Sequence, residues 1–394
     1  MNRETCYYVC NGKEFLSKMQ ALYYSLSVKK PVQWVFYENK FNNYDWTVEP
    51  EFSLEYYYAK RARELREKYD YLILSFSGGA DTNNILETFI DNQLHLDEII
   101  VIHHTELTKN VTELDRSVTK STNFHAEFEL QTIPRLKYIQ QKLPNTKITL
   151  LDCSDNIREA LVGLEEDWVF NKEQTLQLYL RRFNLNYFKE TKNQWDKGRT
   201  IGIMTGIDKP QTYILPNADR KSKSFYVQFS DLPISIPAKM NDFKNEYDNV
   251  TLELFYWHPS CSEMISKQCY TIKKMLELNK NYQFFWSSQH IKKTNISYGD
   301  MFRLVHEKIL RSLLYNNWNP EWFQSTKTLK FWYSDYDTWF RTDPYFSKQF
   351  KIWERGISLL SYTLGDYVLR RDNKPDRIIP FTCMFYLGDL NETK

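Results

Sequence analysis

Hydrophobic and polar positions along the chain follow two periods, and the changes between them divide it. Residues 14–26 (EFLSKMQALYYSL) carry a short helical pattern, and PVQWVFYE at 31–38 is strand-like. ENKFNNYDW then has no periodicity and reads as a loop. In SLEYYYAKRARELREKYD, residues 53–70, Leu54, Tyr57, Tyr58, Ala62 and Leu65 recur three and four apart with charges between them. That spacing predicts an amphipathic helix. Its Arg61, Arg63 and Arg66 fit a solvated face better than a phosphate-binding one.

At residue 71 the pattern changes. YLILSF (71–76) is a continuous apolar run bounded by a turn, the form of a strand buried on both faces. DEIIVIHH (97–104) and KITLLDC (147–153) repeat that buried form, and RTIGIMTG (199–206) is a fourth strand. Helical patterns separate them at NNILETFIDNQL (83–94), around AEFELQTIPRLKYIQQKL, and at 156–183. Strands joined by helical crossovers predict an α/β fold, a parallel twisted sheet with flanking helices. From about residue 211 the alternation stops. ILPN and ADRKSKSFYVQFSDLPISI suggest a turn and a short β excursion, and the aromatic remainder is mostly helical in pattern. Three segments follow: an N-terminal α+β cap (1–70), a nucleotide-type core (71–215) and a mainly helical, aromatic-rich C-terminal region (216–394). No internal repeat is evident.

Composition narrows the function classes. With 42% hydrophobic and 16% aromatic residues, the chain can bury a core, and a disordered protein is excluded. A net charge of +2 compels neither a nucleic-acid nor a membrane partner. Six dispersed cysteines without a Cys-x-x-Cys pair read as thiols in a reducing compartment. The start lacks a signal-peptide plan and no apolar run approaches membrane-helix length, so a soluble cytoplasmic protein is expected.

Only eleven of 394 residues are glycine, yet Gly78 and Gly79 stand together where the first buried run meets a helix. In an open parallel sheet, ligands bind beyond the carboxyl ends of the strands. Two glycines there bare backbone N–H groups for an anion, and the following helix start adds its own N–H groups and partial positive charge. Ser77 and Thr82 supply hydroxyls. Asp81 would repel a bare phosphate but suits one accompanied by Mg²⁺, which takes carboxylate and phosphate oxygens together. The Walker loop, the dinucleotide fingerprint and the nucleophile elbow all fail on spacing.

Strand–SGGxD[ST]–helix is the signature of the PP-loop ATP pyrophosphatase superfamily (adenine nucleotide alpha hydrolase-like, or HUP, folds), and LSFSGGADT resembles it at each defining position. The resemblance implies an enzyme that binds ATP and magnesium and splits the α–β phosphate bond. AMP goes to a substrate oxygen and is then displaced by ammonia, an amine or a sulfur donor. Ser75, Ser77, Gly78, Gly79, Ala80, Asp81 and Thr82 would hold the nucleotide, with Asp81 on the metal.

IGIMTGIDKPQTY (201–213) is similar to a later core strand of the asparagine-synthetase-like branch, with fewer glycines and acids than usual. By that likeness Gly206 faces the nucleotide, Asp208 holds magnesium or orients substrate, and Lys209 offsets charge on the leaving pyrophosphate. A plain Asp-Lys-Pro turn is the competing reading. Asn2 stands where full asparagine synthetases carry a cysteine nucleophile. Nitrogen is therefore expected as free ammonia, an amine or from a separate amidotransferase, as in stand-alone versions encoded by bacterial viruses. The resemblance spans about residues 70–210.

Other residues carry weaker expectations. His103 and His104 end the second strand, where the family's adenine or ribose lies. His103 is carried as a nucleotide contact, against its reading as a polar strand end. Cys153, between Asp152 and Asp155, fits a buried structural thiol better than a sulfur carrier. Lys327 and Lys330 are candidates to reach the pyrophosphate from the C-terminal region. Arg220, Lys221, Lys223, Lys292 and Lys293, with Tyr226 and Phe229, read as solvated surface before RNA contacts. The expected function is AMP-forming amide or C–N ligation on a small-molecule acceptor. The alternatives are modification of a tRNA or DNA nucleobase, including sulfur transfer, and a non-catalytic ATP-binding interaction protein.

Overall fold

Strand and helix interleave from the start of the chain. In the computed structural model, residues 6–103, 105–108, 128–162, 189–206, 211–217, 222–229, 231, 247–286, 308–315, 317–318, 347–349, 351–352, 355 and 382–390 are described. The N-terminal part forms β1 (Cys6–Cys10), β2 (Lys13–Phe15), α1 (Lys18–Val28), β3 (Gln33–Phe36) and α2 (Glu38–Asn42). Its sheet is antiparallel with order β2-β1-β3. Two readings change here. Glu14 and Phe15 belong to a strand rather than to the helix after them, and 38–42 is a short helix rather than loop.

Helix α3 (Leu54–Lys68) starts where the Ser53 hydroxyl accepts from the Tyr56 N–H at 3.4 Å. It buries Leu54, Tyr57, Tyr58, Ala62 and Leu65, as the spacing predicts. Arg61 departs from the expected solvated face. It is 4% exposed and pairs with Glu253 at 2.8 Å. A helical charge pattern cannot distinguish a solvated arginine from one facing a buried acid brought from 192 residues away.

The core follows as β4 (Tyr71–Ser75), α4 (Ala80–Asp91), β5 (Glu98–His103), α5 (Thr105–Thr108), a π-helical turn (Phe128–Thr132), α6 (Ile133–Lys142), β6 (Lys147–Asp152), α7 (Ser154–Val162), α8 (Lys189–Asp196) and β7 (Ile201–Thr205). Then come β8 (Gln211–Pro216), β9 (Lys223–Gln228), β10 (Val250–Leu254), α9 (Ser262–Leu278), α10 (Lys280–Trp286), α11 (Lys308–Leu314) and β11 (Phe385–Asp389). The order β6-β5-β4-β7-β10 makes one five-stranded sheet, parallel at every pairing. The fold is therefore α/β, as expected. The sheet takes its fifth strand from residues 250–254, beyond the point where the sequence alternation stops. An antiparallel sheet, β11-β9-β8, joins the expected β excursion to the chain's last described strand.

The two faces of the parallel sheet are separated by period 2. Leu72, Leu74, Ile99, Val101 and Met204 face one side, with α3, α4, α6 and α9 contributing to the same buried cluster. Tyr71, Ile73, Ile100, Ile201, Ile203, Val250 and Leu252 face the other, where Trp195 of α8 packs. Both faces are covered, which is why the central strands read as unbroken apolar runs. The expectation of a buried third strand fails for β6. It lies at the sheet edge, and Leu150 is 48% exposed.

In sequence order the five parallel strands read 3-2-1-4-5 across the sheet. The direction of winding reverses between β4 and β7, the kind of point beyond whose strand ends ligands bind in open α/β sheets. Among the described residues, no helix is long and apolar enough to cross a membrane.

Candidate functional site

The glycine pair lies at that reversal. Ser75 closes β4, half-buried, paired with Ile100 of β5 and Thr205 of β7. Beyond it Gly78 takes φ +74°, a conformation side chains rarely adopt, and a Cβ there would collide with the Thr132 hydroxyl. Gly79 returns to extended backbone (φ −73°, ψ 168°) and caps α4 without a side chain. The first turn of α4, beginning Ala80-Asp81-Thr82, thus presents its N–H groups with no side-chain cap.

Hydrogen bonds hold the turn from within. The Ser77 hydroxyl accepts from the Gly79 N–H at 3.3 Å and lies 3.3 Å from Thr82 Oγ1. The Thr82 hydroxyl donates to the Gly79 carbonyl at 3.2 Å. Asn83 donates from Nδ2 to the carbonyls of Gly78 (2.7 Å) and Gly79 (3.0 Å), turning both away from the N–H side. Arg135 donates to Asn83 Oδ1 at 3.0 Å and pairs with Glu87, so α6 braces α4 under the loop. The Thr132 hydroxyl reaches the Ser77 carbonyl at 3.4 Å.

Gly206 follows β7 and meets the same turn. A Cβ at Gly206 would lie 2.9 Å from Thr82 Cγ2 and 3.0 Å from the Thr82 backbone nitrogen. Only a glycine lets the fourth strand's exit pass so close to the helix start. Beside it the Thr205 hydroxyl is buried with no hydrogen-bond partner among the described residues. An orphaned buried hydroxyl at a strand end is a donor available to a ligand.

Asp81 faces the C-terminal helices. Its carboxylate accepts from the Tyr315 phenol, and its carbonyl accepts from Tyr256 at 2.9 Å. Burial, then the Asp81 charge, push the Tyr315 phenol well above its ordinary value, so it acts as a donor. Among the described residues, no three His, Cys, Asp or Glu side chains cluster as metal ligands. Asp208, Lys209, Lys327 and Lys330, with His104, Arg220, Lys221, Lys292 and Lys293, lie outside the described residues.

His103 closes β5, the strand beside β4, in register with Asp152 at the end of β6. Its Nδ1 is 3.0 Å from Thr105 Oγ1 and 3.6 Å from Asp152 Oδ2, and its ring stacks on Phe128 at 4.5 Å. Burial lowers the imidazole's proton affinity, and Asp152, Glu129 and Glu106 partly restore it. Burial would raise the Asp152 carboxyl. The hydroxyl and N–H of Ser154, the N–H of Glu106 and the nearby His103 outweigh that and hold it below its ordinary value. Cys153 is 1% exposed, and burial pushes its thiol up to about 12, as a structural cysteine requires.

The structure thus brings Ser75, Ser77, Gly78, Gly79, Ala80, Asp81, Thr82 and Gly206 together at one end of the sheet and sets His103 on the adjoining strand end. Asn83, Thr132, Arg135, Thr205, Tyr256 and Tyr315 were missed. Asn83 and Arg135 carry ordinary helical spacing, and Tyr315 meets Asp81 across 234 positions. No protein-family model matches this chain, and no curated protein matches it.

Proposed function

We propose that this chain is a PP-loop ATP pyrophosphatase of HUP-like fold with a mainly helical C-terminal region. It would work in the cytoplasm, adenylating an oxygen of a small acceptor with release of pyrophosphate. A nitrogen nucleophile would then displace AMP, giving an amide or C–N bond. The observation that supports this reading is the bare turn at Gly78-Gly79. It combines a left-handed glycine, an uncapped helix start and two hydroxyls at the reversal point of a doubly wound sheet.

In this reading the Gly79 region and the first N–H groups of α4 bind the pyrophosphate end of ATP, with Ser77 and Thr205 donating hydroxyl hydrogens and Thr82 holding the turn through the Gly79 carbonyl. Gly206 leaves room for the phosphates between β7 and α4. Lys209 offsets charge on the leaving group, and Lys327 is carried as a second cation. Asp81 and Asp208 would hold magnesium, which would neutralise charge on the phosphate oxygens. Asn83 and Arg135 position the turn. The buried Cys153 thiol takes away the candidate on which sulfur transfer depends.

Exchange of labelled pyrophosphate into ATP, screened against carboxylic acids with Mg²⁺, tests the reading. Wild type should exchange with at least one acid. Gly78→Ala, strained at φ +74°, should lose about 100-fold in exchange, comparable to removing a preorganised donor. ATP bound tightly without pyrophosphate release would favour the non-catalytic alternative. No ATP binding by wild type would sink the proposal.

A further inference from the structure

We infer that His103 is the general base of the second half-reaction, taking through Nε2 the proton of the nitrogen nucleophile that displaces AMP. This rests on the adenylation reading above, and it replaces the nucleotide contact expected for this residue.

Placement is the first support. The parallel register sets His103 opposite Asp152 at the carboxyl edge of the sheet, one strand from the glycine turn. The π-helical turn Phe128–Thr132 touches both places. Phe128 stacks on the His103 ring, and the Thr132 hydroxyl reaches the Ser77 carbonyl. Turns of this type are frequent at functional sites.

Proton accounting is the second. The Asp152 carboxylate only accepts, so the single hydroxyl hydrogen of Thr105 goes to Asp152 Oδ2, at 3.4 Å. Thr105 Oγ1 is then the acceptor for His103, whose Nδ1 must carry the hydrogen. The direct distance to Asp152, 3.6 Å, is too long for a hydrogen bond, so Thr105 relays the carboxylate's influence. In the neutral ring this leaves the lone pair on Nε2, for which the described residues provide no partner. The side chain is 13% exposed.

The surroundings favour a ring that charges on demand. Among the described residues, the ionisable groups facing it are Asp152 from β6, Glu106 from α5 and Glu129 from the π-helical turn, all acidic. They stabilise the imidazolium as it forms. In the step itself, the nitrogen lone pair attacks the acyl carbon and a C–N bond forms. The C–O bond to AMP breaks, its electron pair leaving on the phosphate oxygen, and one N–H proton passes to Nε2.

The test separates the two half-reactions, using an acid that supports exchange in wild type and an amine acceptor or ammonia. His103→Gln should keep pyrophosphate exchange within about 3-fold and lose about 100-fold or more in amide formation, the range of general-base catalysis. The acid limb of the amide-forming pH profile should vanish in His103→Gln. In Thr105→Val and Asp152→Asn it should move to lower pH, since the imidazolium loses its carboxylate support. Nitrogen-15 spectra of the wild-type imidazole should show the Nδ1–H tautomer. An Nε2–H tautomer, or amide formation undiminished in His103→Gln, overturns the inference while the adenylation reading stands. A wild type that exchanges no pyrophosphate with any acid overturns both.

Discussion

Glu253 and Asp152 are both carboxylates held below their ordinary range in strands of one sheet, yet their partners differ in what they have left to offer. Glu253, on β10, is 2% exposed. Arg61 donates to one oxygen at 2.8 Å, and Lys68 (2.7 Å) and Tyr69 (2.5 Å) donate to the other. Burial would raise its carboxyl, but Arg61, Lys68, Tyr69 and His258 bring it down to about 2. Asp152 is 25% exposed and is held mainly by its own neighbours, Ser154 and Glu106. Through Thr105 it acts on a histidine whose second nitrogen has no partner among the described residues. A saturated cluster does structural work, binding α3 to the sheet. A chain that ends on an unused lone pair is suited to chemistry.

That contrast predicts opposite rankings for stability and turnover. Glu253→Ala should cost the most stability, about 3–5 kcal/mol in denaturant unfolding, because Arg61 would stay charged and buried without its partner. The same carboxylate sets an acid limit. Its folded value lies below the ordinary 4.5, so its contribution is complete above pH 4.5 and fades as pH falls towards 2. Wild type should show that loss in acid unfolding, and Glu253→Gln should show less of it. Asp152→Ala should cost about 1 kcal/mol, the worth of a helix-start cap, since it holds the Ser154 and Glu106 N–H groups. His103→Gln should cost about 0.5 kcal/mol or less while removing the most turnover. A His103→Gln variant as unstable as Glu253→Ala would erase the distinction.

The sequence patterns reached β4, β5, β6 and β7 but missed β10 and β1, for physical reasons. β4 and β7 are covered on both faces and so leave continuous apolar runs. VTLEL carries a glutamate in its middle, which reads as surface until Arg61 is seen opposite. CYYVC is too short, and too close to a helical pattern, to stand out as a strand. In the candidate site, the glycine pair was legible because backbone conformation itself demands glycine at Gly78. His103 and Asp152 were each visible as polar strand ends. Their partnership depends on the register between β5 and β6, which no local pattern encodes. The Tyr315–Asp81 contact depends on tertiary packing alone.

The reversal of winding between β4 and β7 has a consequence for how such a molecule changes over time. That switch point is a property of the path of the chain, present whatever side chains surround it. Its rim is assembled from separate places: the β4–α4 turn, the exit of β7, the π-helical turn before α6, and Tyr315 after α11. Each can be rewritten by substitution or insertion without disturbing strand order. The glycine turn can therefore be inherited while the rest of the rim is exchanged, making this sheet a chassis on which, in the proposed reading, substrate choice would evolve independently of nucleotide chemistry.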